Sequence, residues 1–407
     1  MDSRGDSRRL AEAMLARSTS PFRDRTDKRS LKTQCTLFIG KHGLMFQPNF
    51  TISPATATSL MAIEADRQVI IELPINVDVL AGLRETARLA ATHYSTQIEG
   101  NRLTQAQVAE AIAGAQFPGR ERDEAEVRNY YRALAHIETL AVEGGSISGL
   151  ELDRVHGFVM SGQGTPTPYR SGDNVIRETA TGRVVYTPPK ASDVPALMAS
   201  LFDWINTRMT KRDLPAPLIA ALTHYQFATI HPYYDGNGRT ARLLTTLVLH
   251  RAGYGLKGIY CLDEHYARNL NDYYTALTVG PSHNYYLGRA EADLTGFLNF
   301  FCDSMAQALA SVRSRATEVA HTPGNRHADD AATLRQLDPR QRRTLELFRD
   351  SAVVTGSDIA THLGISPRTA NTLIRGWITD DFIEIDDPSK KRRTYRLRPR
   401  YERLVSP

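Results

Sequence analysis

The residues whose types and spacing could do chemistry are concentrated in one stretch, His231-Pro232-Tyr233-Tyr234-Asp235-Gly236-Asn237-Gly238-Arg239-Thr240-Ala241-Arg242. Asp235-Gly236-Asn237-Gly238 places two glycines where a helix opens, so the backbone can turn sharply and aim several N–H groups at one point. That is an anion nest at the positive end of a helix. Asp-Gly and Asn-Gly are also hairpin dipeptides, but the flanks here follow a helical rather than an alternating pattern. Arg239 and Arg242 stand three residues apart and so occupy neighbouring points on the first helical turn. Taken singly, each would be a surface ion-pair residue; at this end of a helix cations oppose the dipole unless an anion lies between them, and a polyphosphate resolves the conflict. Asp235 would repel bare phosphate but suits Mg²⁺, which also takes phosphate oxygens. His231, with an ordinary pKa of about 6.5, suits proton removal near neutral pH. An isolated histidine is more often structural, yet this one stands beside a carboxylate, a nest and two arginines, the parts that phosphoryl or nucleotidyl transfer requires.

The elements that must position these groups are mainly helical. A helical pattern runs over 64–97, with Leu80, Leu83, Ala87, Leu89 and Tyr94 at helical spacing and Gly100-Asn101 as a stop. Further helices are expected over 105–113, with Thr104 as N-cap, and over 121–140, 193–208 and 217–230. Pro232 disfavours helical geometry at His231, so the last of these should end there. After Gly238 the run Leu243, Leu244, Leu247, Val248 and Leu249 is apolar around most of its circumference, which marks a buried helix over 240–250. Helices over 263–277 and 289–319 follow. The texture between Gly162 and Pro189 changes to glycine, proline and β-branched residues, and a short β-hairpin is expected there, with a turn at Thr181-Gly182.

Beyond a hinge expected at Thr322-Pro323-Gly324-Asn325, the pattern gives a helix over 340–349, a short helix over 357–363 with a Gly364 stop, a helix from the Ser366 cap to Trp377, and two strands at 383–385 and 394–397. Helix, short helix, turn, helix and ribbon is the winged helix-turn-helix order. Arg368, Thr369, Asn371 and Arg375 could reach base edges or phosphates, and Lys390-Lys391-Arg392-Arg393 with Arg396, Arg398, Arg400 and Arg403 makes the end of the chain basic. Asp380-Asp381 and Asp386-Asp387 lie beside that helix, so DNA and a protein surface both stay open as partners, as does a homodimer.

At 407 residues the chain exceeds one ordinary core. Cys35, Cys261 and Cys302 are widely spaced and odd in number, which argues against a disulfide framework and fits a reducing, cytoplasmic setting. The longest apolar run, near 243–249, is far short of a bilayer span and is closed by Arg251, so no membrane partner is expected. The first 32 residues are rich in arginine and lack an apolar core, which excludes a secretory signal. The expected division is a disordered segment over 1–50, a helical region over 51–140, a catalytic core over 141–320 and the winged helix over 334–400.

The stretch from His231 to Arg242 resembles the Fic motif, which reads His-Pro-Phe-x-Asp/Glu-Gly-Asn-Gly-Arg-x-x-Arg. Tyr233 replaces the usual phenylalanine. Both glycines of Gly236-Asn237-Gly238 are kept, as in the AMP-transferring branch of the family. The resemblance covers roughly 63–319 and implies a Fic-type helical bundle with a β-hairpin flap, a protein adenylyltransferase moving AMP from ATP to a Ser, Thr or Tyr hydroxyl of a target protein. It implies His231 as base, Asp235 on Mg²⁺, Gly236 to Gly238 around the phosphates with Asn237 at the α-phosphate, and Arg239 and Arg242 on the β- and γ-phosphates. Arg183, Val184, Val185 and Tyr186 correspond to the flap that holds the target by strand-like pairing. Tyr273-Tyr274 resembles the aromatic pair near the adenine; the asparagine that often follows it has no clear equivalent, since Pro281 falls near its place and Asn284 is the remaining candidate. Ser95-Thr96-Gln97-Ile98-Glu99-Gly100-Asn101 resembles the family's inhibitory motif, which implies that Glu99 pairs with Arg242 and blocks the γ-phosphate. Removal of AMP from a modified target, a nucleotide-sensing DNA regulator and a toxin role are the alternatives that this reading leaves open.

Overall fold

The computed structural model describes residues 45–405, apart from 74, 76, 178–181, 322–332, 335, 390–392 and 403. Most of the expected disordered segment, the hinge at 322–325, the hairpin turn at Thr181 and the Lys390-Lys391-Arg392 cluster therefore lie outside the described residues. The described chain is mainly α-helical and divides into two compact units.

The first unit comprises residues up to Ile63, Arg88–Gly255 and Cys261–Ala308. It draws on α1 (Pro54–Glu72), α2 (Val77–Ile98), α3 (Gln105–Ile112), α4 (Glu121–Glu143), α5 (Gly149–Ser161), α6 (Val194–Lys211), α7 (Ala216–Ile230), α8 (Asn237–Leu249), α9 (Leu262–Arg268), α10 (Leu270–Leu277) and α11 (Thr295–His321). The helical pattern read over 64–97 is two helices, interrupted where the sequence carries Pro74. The helix read over 263–277 is likewise two, meeting at Asn269, whose backbone leaves helical geometry at ψ 44°. Helix α3 starts at the expected Thr104 cap, with a complete capping box to Gln107. Helix α5 was not legible in the pattern, although Ser148 and Glu151 form a capping box at its start.

Helix α8 is the centre of this unit. It packs on α7, α4 and α5, and Leu243, Leu244, Leu247, Val248 and Leu249 are all at most 2% exposed. Burial of each such side chain stabilises by roughly 1.5–3 kcal/mol, so the start of α8 is fixed against the core. A two-stranded antiparallel hairpin, β1 (Ile176–Arg177) and β2 (Val184–Tyr186), pairs Ile176 with Tyr186 and Arg177 with Val184.

The second unit comprises Glu64–Ala87, Leu256–Tyr260 and the described residues from Leu309 onward. Its C-terminal elements are α12 (Pro339–Asp350), β3 (Val354–Thr355), α13 (Gly356–Leu363), α14 (Pro367–Thr379), β4 (Ile383–Asp387), β5 (Thr394–Leu397) and α15 (Pro399–Glu402). The strands form one antiparallel sheet in the order β3-β5-β4. Its core gathers Leu345, Ile359, Ile374, Trp377, Phe382 and Leu397. Helices α12, α13 and α14 start on side-chain caps, Asp338, Thr355 and Ser366 respectively.

Candidate functional site

Helix α7 ends at His231, which adopts left-handed geometry at φ 53°, ψ 60° and donates its backbone N–H to the Phe227 carbonyl. Pro232 forbids continuation. Gly236 then takes φ 75° as N-cap of α8, where a Cβ would lie 2.8 Å from Met160 Sδ and 3.1 Å from His156 Nε2. Between these points the loop is tied to itself. The Asn237 side-chain oxygen accepts from the Tyr233 N–H and its amide donates to the Tyr233 carbonyl, both at 2.9 Å. Both polar atoms of this amide are thus engaged inside the loop. The Asn237 backbone N–H lies in the first turn of α8, where helix N–H groups have no intrahelical partner.

Two residues that sequence reasoning did not single out support the loop from α5. Tyr233 stacks on His156 with ring centroids 3.6 Å apart, and His156 Nε2 lies 2.9 Å from the Asp235 carbonyl. The Tyr233 hydroxyl donates to Asp153 at 2.7 Å, which gives the hydroxyl that replaces the motif's phenylalanine a partner. Burial pushes the Asp153 carboxyl up and this hydrogen bond works against it. On the other side Arg170, 2% exposed, donates to the carbonyls of His231, Gly172 and Pro189. One guanidinium therefore clamps the histidine to the segment leading into the hairpin.

The half-buried His231 ring has its pKa held down to about 4 by desolvation and by the Arg170 guanidinium, against a hydrogen bond to the Ala228 backbone. It is neutral at pH 7 and able to accept a proton. The Asp235 carboxylate is exposed beside the nest, 2.6 Å from the Gly236 N–H and 3.4 Å from Arg239 Nη2.

Both motif arginines are buried and already paired. Arg239 meets Glu126 on α4, and Asn101 donates to the same carboxylate at 2.8 Å. Burial pushes the Glu126 pKa up, with Arg239 and Asn101 opposing. Arg242 donates to the Ser95 hydroxyl at 2.7 Å, to the Ser95 carbonyl at 2.8 Å and to Glu99 Oε1 at 2.9 Å, and its Nε lies 3.2 Å from Asp263 on α9. Burial works against the Arg242 charge, but Glu99, Tyr273, Asp263 and Tyr130 outweigh it and hold the pKa above the ordinary arginine range. A Cβ on Gly238 would lie 2.2 Å from Glu99 Oε1. The Glu99 carboxylate therefore rests against the opening turn of α8, the place where an anion is favoured.

The structure does not leave Tyr273 and Tyr274 as an open stacking platform. They are 3% and 7% exposed. The Tyr273 hydroxyl is 2.9 Å from His224 Nε2, and Tyr274 donates to the Ile98 carbonyl at the end of α2, next to Glu99. Asn284 accepts from the Tyr286 N–H with its side chain and is bridged by its backbone to Thr187. In the hairpin, Arg183 and Val184 are exposed and Val185 is partly buried, while buried Tyr186 donates to the Thr229 carbonyl two residues before His231. The hairpin is thereby anchored to the same helix end as the histidine.

Residues 147–249 match the model of the Fic/DOC family, a stretch that holds α5, the hairpin and the whole loop from His231 to Arg242. The chain carries a Fic domain. Curated relatives of the Fic domain include the protein adenylyltransferase fic-1 of Caenorhabditis briggsae, 34% identical over 176 residues, which are 42% of this chain and 33% of that protein. Another is the protein adenylyltransferase Fic of Drosophila willistoni, 29% identical over 197 residues, 48% of this chain and 38% of that protein. The chain thus spans well under half the length of these relatives. Among solved structures, a Fic family protein from Desulfovibrio desulfuricans is 26% identical with a TM-score of 0.52, covering 87% of this chain and 99% of that one. A Fic domain containing signaling protein from Bacteroides thetaiotaomicron is 25% identical with a TM-score of 0.54, covering 64% of this chain and 96% of that one.

Proposed function

We propose that this Fic domain transfers AMP from ATP to a hydroxyl of a target protein, and that Glu99 holds it in an inhibited state. The observation that carries the reading is the Glu99 carboxylate resting on Arg242 and on the first turn of α8, so that the protein's own anion occupies the place suited to a phosphate. When Glu99 withdraws, the N–H groups of Gly236 to Gly238 receive the phosphates and Arg239 and Arg242 take their outer oxygens. Neutral His231 removes the proton from the attacking hydroxyl. The hydroxyl oxygen bonds to the α-phosphorus, the bond to the bridging oxygen breaks, and pyrophosphate leaves with that electron pair. The phosphate charge nearby raises the affinity of His231 for the proton it takes.

Among the described residues no group of three or more His, Cys, Asp or Glu side chains could hold a metal unaided. Mg²⁺ is commonly held by one or two carboxylates together with substrate phosphates, and the exposed Asp235 beside the nest fits that arrangement. There the ion would neutralise phosphate charge. Arg183 to Tyr186 present the hairpin next to His231, where an extended target segment can pair with it.

Labelled AMP incorporation by wild type, Glu99→Gly and the double variant Glu99→Gly with His231→Ala, each against cell lysate, tests the reading. Glu99→Gly exceeds wild type, and His231→Ala in that background abolishes labelling; a Glu99→Gly protein no more active than wild type defeats the inhibitory reading.

A second reading, DNA contact through α14, is favoured by the exposed Arg368, Thr369, Asn371 and Arg375 along it. The wing supports it less, since Arg396 and Arg398 are paired with Glu384. A salt-dependent mobility shift of the whole chain decides: absence of any shift at low salt leaves a protein partner for this surface.

A further inference from the structure

Arg242 is 3% exposed, and a buried charge left without a counter-ion costs several kcal/mol. This sets a problem for a site in which Glu99 must leave. If Glu99 were the sole counter-ion, every release would pass through a state with an unpaired buried guanidinium before any phosphate arrived. The two carboxylates around Arg242 are not alike. The Glu99 side chain is 22% exposed and stands at the end of α2, beside a cavity of about 260 Å³ that it lines together with Arg102, Arg120 and Arg122. It has open space to move into, although Asp123 and Glu126 line the same cavity and Asp123 already pairs with Arg102 and Arg120. The Asp263 side chain is 8% exposed, in the first turn of α9, where a helix favours a carboxylate. It lies on the Nε side of the guanidinium, whereas Glu99 takes Nη2. The same Nε donates to the Ser95 hydroxyl at 2.7 Å, so the contact with Asp263 is one of charge at 3.2 Å rather than a hydrogen bond.

We infer that Asp263 is a positioning residue: it keeps Arg242 paired and in place while Glu99 is displaced, so that Nη2 turns from carboxylate to phosphate without the guanidinium moving. The inference rests on the reading that Glu99 leaves Arg242 to admit nucleotide. Among the neighbours of Arg242, Ser95 brings hydrogen bonds and Tyr273 a neutral hydroxyl, neither with an ordinary negative charge, so Asp263 is the carboxylate that remains when Glu99 has gone. Burial pushes the Asp263 pKa up and Arg242 opposes this, as expected of a carboxylate that depends on one buried cation.

The test is a thermal unfolding cycle of the whole chain without nucleotide, using Glu99→Gly, Asp263→Asn, both together, and both together with Arg242→Met. Asp263→Asn lowers Tm by several degrees more in the Glu99→Gly background than in wild type, because only there does it leave Arg242 with no carboxylate. Arg242→Met, which removes the stranded charge, recovers most of that loss. An equal loss in both backgrounds, or a double variant that Arg242→Met does not recover, overturns the inference. If the double variant does not fold, recovery of a folded protein by Arg242→Met decides in the same way. A separate arm with MgATP concerns the functional reading alone. ATP raises the Tm of the double variant more than that of Glu99→Gly, since phosphate takes the vacant counter-ion place. If ATP stabilises neither, the nucleotide reading falls, while the nucleotide-free cycle still judges Asp263.

Discussion

Gly238→Ala changes sign with its background. A Cβ at Gly238 would meet Glu99 Oε1 at 2.2 Å and Cδ at 3.1 Å, with Arg242 Nη1 at 3.3 Å. The first distance is too short for any contact, so the Glu99 carboxylate must shift and its bond to Arg242 is lost or lengthened. A charge-assisted hydrogen bond of this kind contributes about 1.5–3 kcal/mol. Against this, Ala in place of Gly near the start of a helix gains up to about 1 kcal/mol from propensity. The net effect in wild type is a loss of about 1–2 kcal/mol. In the Glu99→Gly background the obstructing carboxylate is absent, the contact at 3.3 Å needs only a small adjustment, and the propensity gain remains, so the same substitution is neutral or stabilising by up to about 1 kcal/mol. Urea unfolding of the four proteins in the cycle measures both values. A loss of equal size in both backgrounds would mean that Glu99 does not sit against Gly238 and would refute the reasoning. The methyl group also stands where the phosphates are proposed to bind, so Gly238→Ala should release the Glu99 contact without producing the labelling expected of Glu99→Gly.

Tyr233→Phe restores the aromatic of the motif but leaves the Asp153 carboxylate without its 2.7 Å donor; unfolding free energy should fall by about 1–3 kcal/mol, AMP transfer in the Glu99→Gly background should persist, and Asp153→Ala should recover part of the loss. Stability should also fall with acid through His224, which lies between Thr245 Oγ1 at 3.0 Å and the Tyr273 hydroxyl at 2.9 Å, its pKa held down to about 3 by burial. The unfolded chain binds this proton near pH 6.5 and the folded chain does not, so the contribution is complete above pH 6.5 and is lost as pH falls from there toward 3. The loss is on the order of 4 kcal/mol. Urea unfolding from pH 7 to pH 4 checks it, and His224→Gln should reduce the slope by close to one proton; an unchanged slope would place the proton elsewhere.

The loop from His231 to Arg242 was legible because its information is local: glycines where the backbone must turn, and arginines three apart on one helical turn. The pairing of Glu99 with Arg242 was legible only through a resemblance, since 143 positions separate the two residues. Nothing in the pattern pointed to Asp153, His156, Glu126 or Asp263. Each comes from another element and acquires its meaning only when α4, α5 and α9 pack around α8. Tyr273 and Tyr274 were legible as an aromatic pair, but the pattern could not tell whether their faces or their hydroxyls would be used. The capping box at Ser148 and Glu151 was the available signal for α5, and reading it would have placed Asp153 and His156 on one helix.

The left-handed backbone at His231 sets function against durability. A residue with a Cβ at φ 53° costs roughly 1 kcal/mol or more relative to glycine, and this position closes a helix, where glycine is the common choice. Arg170 and the Phe227 carbonyl hold the backbone there regardless of the side chain. Selection for heat resistance alone would therefore discard the imidazole in favour of glycine and keep the loop, so thermally selected lineages of this protein should drift toward folded, inert forms unless activity is selected with them.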